Sequence, residues 1–207
     1  VLLSCAVSLL WTLRMRRIPG EQRLFLVGLM LALVVENSAA YIYVYGNGNN
    51  AWLYRIYIPM EFVLLALMAT LHLRRTWSTT LAIAGGIGFF SVLAWEIFGQ
   101  HEESILFARS TILSFCLLTA LFAGLLIDLV ERTTTVLWKD QRFWVYLSVF
   151  IFTGPAIPFV GLLNKIYMRD RDLAGELFII IDVLFFLRYG AALIGGWLLK
   201  PRNQSVA

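Results

Sequence analysis

Seven long apolar blocks, separated by short charged or turn-forming breaks, leave this chain few folds to adopt. They fall at about 1–13, 24–45, 52–72, 77–98, 105–127, 143–164 and 176–199. A helix of about 20 apolar residues matches the hydrocarbon core of a bilayer, where the backbone must satisfy its own hydrogen bonds. Composition supports the same reading. The chain is 60% hydrophobic and 14% charged, whereas a soluble domain carries about 25% charged residues. The expected fold class is therefore an all-α membrane protein, with residues 1–207 forming a single domain of seven transmembrane helices. Connectors are short, so sequential helices should be antiparallel and packed. The first block, "VLLSCAVSLLWTL", is too short to cross alone. It ends in arginines and lacks a small-residue cleavage site, so the expectation is a span whose chain begins upstream of Val1.

Cations set the expected orientation. Arg14, Arg16, Arg17, Arg23, Arg74, Arg75, Arg132, Lys139, Arg142, Lys200 and Arg202 all fall on one side of the seven blocks, against Lys165, Arg169 and Arg171 on the other. The positive-inside rule then puts the N-terminus outside and the C-terminus in the cytoplasm. The net charge of +4 sits at span ends and forms no basic stripe on a soluble face, which argues against nucleic acid as a partner.

Local sequence also predicts how helices pack. Ala82/Gly86 and Ala84/Gly88 in span four, and Ala192/Gly196 in span seven, are small residues four apart. Such pairs let helix backbones approach, within the bundle or across a dimer. Gly154, Pro155 and Pro158 should bend or break span six.

The stretch "WLYRIYIPMEF" then poses a problem, because it places Arg55 and Glu61 inside span three. An ionisable group at the bilayer centre costs about 2.5–3.5 kcal/mol on insertion scales, so it is expected to find a partner. Glu36, Glu61 and Arg188 share one depth; Arg55, Glu96, Arg109 and Asp182 lie nearer the outer face. Arginine's planar fork suits Arg188 to hold Glu36, Glu61 or both, bringing spans two, three and seven together. Four acids face three arginines, which leaves one carboxylate over.

Polar residues continue outward from this point. Tyr54, Tyr57 and Glu61 share one face of span three, and Asn37, Tyr41 and Tyr45 step by four along span two. Asp182 is expected above Arg188, looking toward Arg55 or Arg109. Two readings follow. In one, the tyrosines and Trp52 form an interfacial belt and the charges are a clasp. In the other, a polar cavity opens outward, floored by Glu36, Glu61 and Arg188 and walled by Asn37, Tyr41, Tyr57, Arg109 and Asp182. That cavity would bind a small polar ligand or ion for sensing or transport. Sensing requires a cytoplasmic or membrane protein partner, because the blocks leave no output domain. Transport has no inverted repeat to support it. Alternatives are a metal-free intramembrane enzyme acting on a lipid or isoprenoid through its paired carboxylates, and a structural or accessory subunit.

Several chemistries are disfavoured. His72 and His101 lie at opposite ends of the spans, so no multi-histidine metal site is expected. Cys5 and Cys116 form no CxxC, and neither a serine nucleophile elbow nor a phosphate-binding loop is present. No cofactor is expected. Span seven, "IIIDVLFFLRYG", resembles the microbial rhodopsins, in which an aspartate precedes the retinal lysine by four. Asp182 matches that aspartate, but Phe186 stands at the lysine position and no lysine lies inside a span. The resemblance implies seven helices and excludes a retinal Schiff base. The pattern Asn50-x-Trp52-x-Tyr54-x-x-Tyr57-x-Pro59-x-Glu61 resembles small bacterial membrane proteins, which implies a bacterial plasma membrane and no particular activity.

The orientation is open to a direct check. In a Cys5→Ser/Cys116→Ser background, Asn47→Cys should react with an impermeant maleimide on intact cells, and Ser205→Cys only after lysis. The reverse pattern would invert the topology.

Overall fold

A computed structural model describes residues 2–15, 18–45, 50–73, 76–99, 108–134, 136–167 and 169–199. These residues contain no strand and form α1 Leu2–Leu13, α2 Arg23–Tyr45, α3 Ala51–Leu73, α4 Thr76–Gly99, α5 Ala108–Arg132, α6 Gln141–Tyr167 and α7 Arg171–Trp197. Single 3-10 turns at Gly20–Gln22 and Leu137–Lys139 lead into α2 and α6. Helices α2 to α7 are long and apolar enough to cross a bilayer. The 12 residues of α1 reach only about 18 Å at 1.5 Å per residue. The orienting cations Arg16, Arg17, Arg74, Arg75, Lys200 and Arg202, the tip of the "GNGNN" turn and His101 lie outside the described residues.

The helices close a ring in which α1 packs on α2, α2 on α3, α3 on α5, α5 on α6, α6 on α7, and α7 back on α1. Helix α4 stands outside, against α5 and α3. Only 11% of its spanning stretch is buried, against 28–50% for the other five. The main core runs through the ring and includes Trp11, Phe25, Leu29, Met68, Phe122 and Val145. A second cluster joins α5, α6 and α7 through Phe115, Phe152, Phe159 and Leu184.

Small residues make the tightest approaches, though only partly where their spacing points. The Ala192/Gly196 pair receives the indole of Trp11, whose Nε1 donates to the Ala192 carbonyl at 2.9 Å. Arg14 completes this junction, donating from Nη1 to the carbonyls of Gly196 at 2.9 Å and Trp197 at 2.6 Å. A cation thus meets the unsatisfied carbonyls and negative dipole end of α7. In α4 the expected pairs do not make the contact: space is open around Gly86 and Gly88. Gly85 makes it instead, since a Cβ there would come within 2.5 Å of Leu117 on α5. Gly124 of α5 likewise seats the ring of Trp77 from α4. A spacing of four picks out one stripe of a helix, but not which stripe faces a neighbour.

The prolines do not break α6, which runs unbroken from Gln141 to Tyr167. Pro155 and Pro158 point outward, while Phe152, Ala156, Phe159, Val160 and Leu163 are buried on the packed face. Side-chain hydrogen bonds reinforce that face: Thr119 Oγ1 donates to Thr153 Oγ1, which donates to the Val149 carbonyl, at 2.9 and 3.0 Å. Packing on α5 and α7 holds the helix through the two missing N–H groups.

Gly196→Ala should lower detergent thermal stability by about 1–3 kcal/mol, because the hydrogen-bonded Trp11 must move. Gly86→Ala, which meets no neighbour, should leave the melting temperature unchanged.

A buried charge and tyrosine cluster

On α3, Tyr54, Tyr57 and Glu61 recur at three- and four-residue steps and so share one face. Tyr57 and Glu61 are buried and Tyr54 is half-buried. That face meets α7 at Arg188 and Tyr189. The Arg188 guanidinium donates through Nη2 to Glu61 Oε1, and both side chains are buried. Its carbon centre lies 4.9 Å from the centroid of the Phe152 ring of α6, in cation–π range. The Tyr189 hydroxyl donates to Glu36 Oε1 on α2. Side chains of α2, α3, α6 and α7 therefore converge on one point.

Two hydrogen-bonding groups in this cluster are left over. The Tyr57 hydroxyl lies beside Glu61 but outside good hydrogen-bond geometry, and it is buried without another partner. Arg188 Nε is also buried without an acceptor. Buried donors are nearly always satisfied, so each marks incomplete polar satisfaction. Glu36 is half-buried, and Tyr54 lies within the electrostatic field of both Glu36 and Asp182.

Of the eight site residues expected from sequence, Glu36, Tyr57, Glu61 and Arg188 come together. The other four do not. Asn37 and Tyr41 lie on the outer surface of α2. The Asn37 amide turns back to the Leu33 carbonyl at 2.7 Å, and Tyr41 packs on Tyr45 with ring centroids 5.1 Å apart. In this half of α2 the buried residues are Ala32, Val35 and Ala39, small or short side chains that let neighbouring helices approach. The expected polar stripe of α2 therefore faces away from α3.

Asp182 is exposed on α7. Six residues separate it from Arg188, and six steps of 100° bring a side chain about 120° away from alignment. Phe186, at the retinal-lysine position of the rhodopsin pattern, is 67% exposed. The stripe that carries that resemblance lies outside the bundle. Arg109 is also exposed, with its guanidinium 4.7 Å from the Trp95 ring centroid.

Sequence alone allows Arg188 to take Glu36, Glu61 or both; it takes Glu61, while its neighbour Tyr189 takes Glu36. Sequence reasoning missed Tyr189, although a buried carboxylate beside a tyrosine-bearing helix needs a donor. It also missed Phe152, which carries no polar signal. The surplus acid has a further answer in Glu96, which is buried. Its carboxylate accepts from the Arg109 and Ser110 amides at 2.9 and 3.0 Å and from the Ser110 hydroxyl at 2.5 Å. The first-turn amides of α5 serve as its counter-charge, so pairing acids with arginines alone miscounts the chain.

Elsewhere, a small cleft between α3, α4 and α5 is lined by Arg55, Ile58, Pro59, Phe89, Leu93, Ser110 and Thr111. None of the eight expected residues lines it. Among the described residues, no three His, Cys, Asp or Glu side chains are grouped to hold a metal ion. No family model matches the chain, and no curated protein or solved structure matches it.

Cutting the buried pair on one side should be costly. Arg188→Ala leaves Glu61 uncompensated and should lose about 3–5 kcal/mol of stability. The double replacement Glu61→Leu/Arg188→Leu should recover most of that loss in thermal unfolding. Additive losses would mean that the two groups do not stabilise each other.

Proposed function

We propose that this chain is a seven-span protein of a bacterial plasma membrane, with its N-terminus outside, that binds a small polar ligand or ion at the Glu36–Glu61–Arg188 cluster for sensing or transport. The membrane environment itself follows from the six long apolar helices. The observation that carries the ligand reading is the unused hydrogen-bonding capacity at the meeting point of four helices. Arg188 Nε is buried without an acceptor, the buried Tyr57 hydroxyl has only Glu61 beside it, and the cluster sets two carboxylates, Glu36 and Glu61, beside one guanidinium. A ligand that offers an acceptor to Arg188 Nε and a donor or positive charge to Glu36 would answer both deficits. Tyr54, half-buried and within the field of Glu36 and Asp182, supports access from the outer end of α3.

A structural clasp is the second reading. It is favoured by the direct Arg188–Glu61 pair and by the Phe152 ring over the guanidinium, which together compensate most of the cost of burying that charge. The two readings part on Tyr57 and Glu36. In native mass spectrometry from a mild detergent, the ligand reading expects a small non-protein mass on the wild-type protein that Glu36→Gln and Tyr57→Phe lose while remaining folded. Bare protein in all three samples, with only stability changed, would leave the clasp.

A further inference from the structure

The outward face of α2 carries a polar side chain at a depth where lipid offers it no hydrogen bond. Val27, Met30, Val34, Asn37, Tyr41 and Val44 alternate in steps of three and four, so they line one side of the helix. Val27 is 50% exposed, Val34 62%, and Tyr41 and Val44 66%. Asn37 is exposed among them and Met30 is half-buried. From Val27 to Val44 this face runs about 26 Å, most of the thickness of the hydrocarbon core. Asn37 is eight residues from the end of α2, which puts it about 12 Å in from that end.

Among the described residues, the Asn37 side chain makes one hydrogen bond, from Nδ2 to the Leu33 carbonyl of its own helix at 2.7 Å. A primary amide offers two donors and a carbonyl acceptor, so one N–H and Oδ1 remain to be met. Hydrocarbon cannot meet them, and asparagine is among the side chains that hydrogen-bond from helix to helix in membranes. Rotation of α2 cannot bring the amide inward, because Ala32 and Val35 on the opposite side pack against Tyr57 of α3.

We infer that α2 pairs with α2 of a second copy of this chain, with Asn37 at the centre of the contact. Copies inserted with the same topology are related by an axis along the membrane normal, so each residue near the axis meets its own counterpart at the same depth. The amide is complementary to itself: each copy donates an N–H to the Oδ1 of the other, closing two hydrogen bonds around the axis. An exposed carboxylate such as Asp182 would instead repel its own copy. Alternating steps of three and four are the spacing of a left-handed helix pair crossing at about +20°. One asparagine within such a seam fixes register and the number of helices that associate. This inference is independent of any ligand at the charge cluster.

Two measurements on the full chain test it. In a Cys5→Ser/Cys116→Ser background, Val34→Cys and Val44→Cys should form disulfide-linked dimers when cell membranes are oxidised with copper phenanthroline. Ile87→Cys, on the exposed face of α4, should not. Single-molecule photobleaching in liposomes then counts copies as the protein-to-lipid ratio falls. Asn37→Leu should raise the ratio needed for half dimerisation about tenfold, and Asn37→Gln, which keeps the amide, should restore most of the loss. Because Asn37 faces outward, Asn37→Leu should unfold at the wild-type temperature in detergent. Monomers at every ratio, dimers equally tight in Asn37→Leu, linkage at Ile87→Cys and not at Val34→Cys, or Val34→Cys joined to a different protein would overturn the inference.

Discussion

A guanidinium cannot lie unpaired at the centre of an apolar bundle, and much of this structure is arranged around that fact. Arg188 is buried, so α7 must bring it to an acid, and Glu61 of α3 is that acid. Once that contact is made, the register between the two helices is set. Tyr189, one residue on and 100° round the helix, then faces α2 and captures Glu36. Phe152 of α6 covers the guanidinium. One buried cation thereby specifies how four helices meet, which is the role for which buried ion pairs are best attested.

The main chain balances other charges. Glu96 sits against first-turn amides of α5, and Arg14 sits against last-turn carbonyls of α7. These are the two ends of the helix dipole, each met by the opposite sign of side chain. Both contacts tie one helix end to a neighbouring helix, so they orient α4 on α5 and α1 on α7. With little water to satisfy helix ends inside a membrane, such contacts matter more than they would on a soluble surface.

Helix α3 separates two environments. Its tyrosine and glutamate stripe turns inward to the charge cluster, and its Arg55, Ile58 and Pro59 stripe turns toward α4 and the cleft. The weak burial of α4 follows from the same geometry: it lies outside the ring, meeting α3 at Phe62–Phe89 and α5 at Gly85 and Gly124. The mixed polarity of "WLYRIYIPMEF" is thus the record of a helix with different neighbours on adjacent faces.

That long apolar helices would cross a membrane, and that Glu61 and Arg188 required partners, was legible in the order of residues. Both are costs that the bilayer imposes on single residues or single segments, so they are visible without a neighbour. Helical spacing also placed Tyr57 beside Glu61. Which face of each helix turns inward was not legible in the same way. Asn37 and Tyr41 form as regular a stripe as Tyr54, Tyr57 and Glu61, yet they face outward, while Tyr57 of α3 packs on Ala32 and Val35. Packing in three dimensions also chose Tyr189 for Glu36, the α5 amides for Glu96, and Gly85 over Gly86 for close approach. Those choices depend on the rotation of one helix against another, and that rotation is set by the packing of the whole bundle rather than by the periodicity of any one segment.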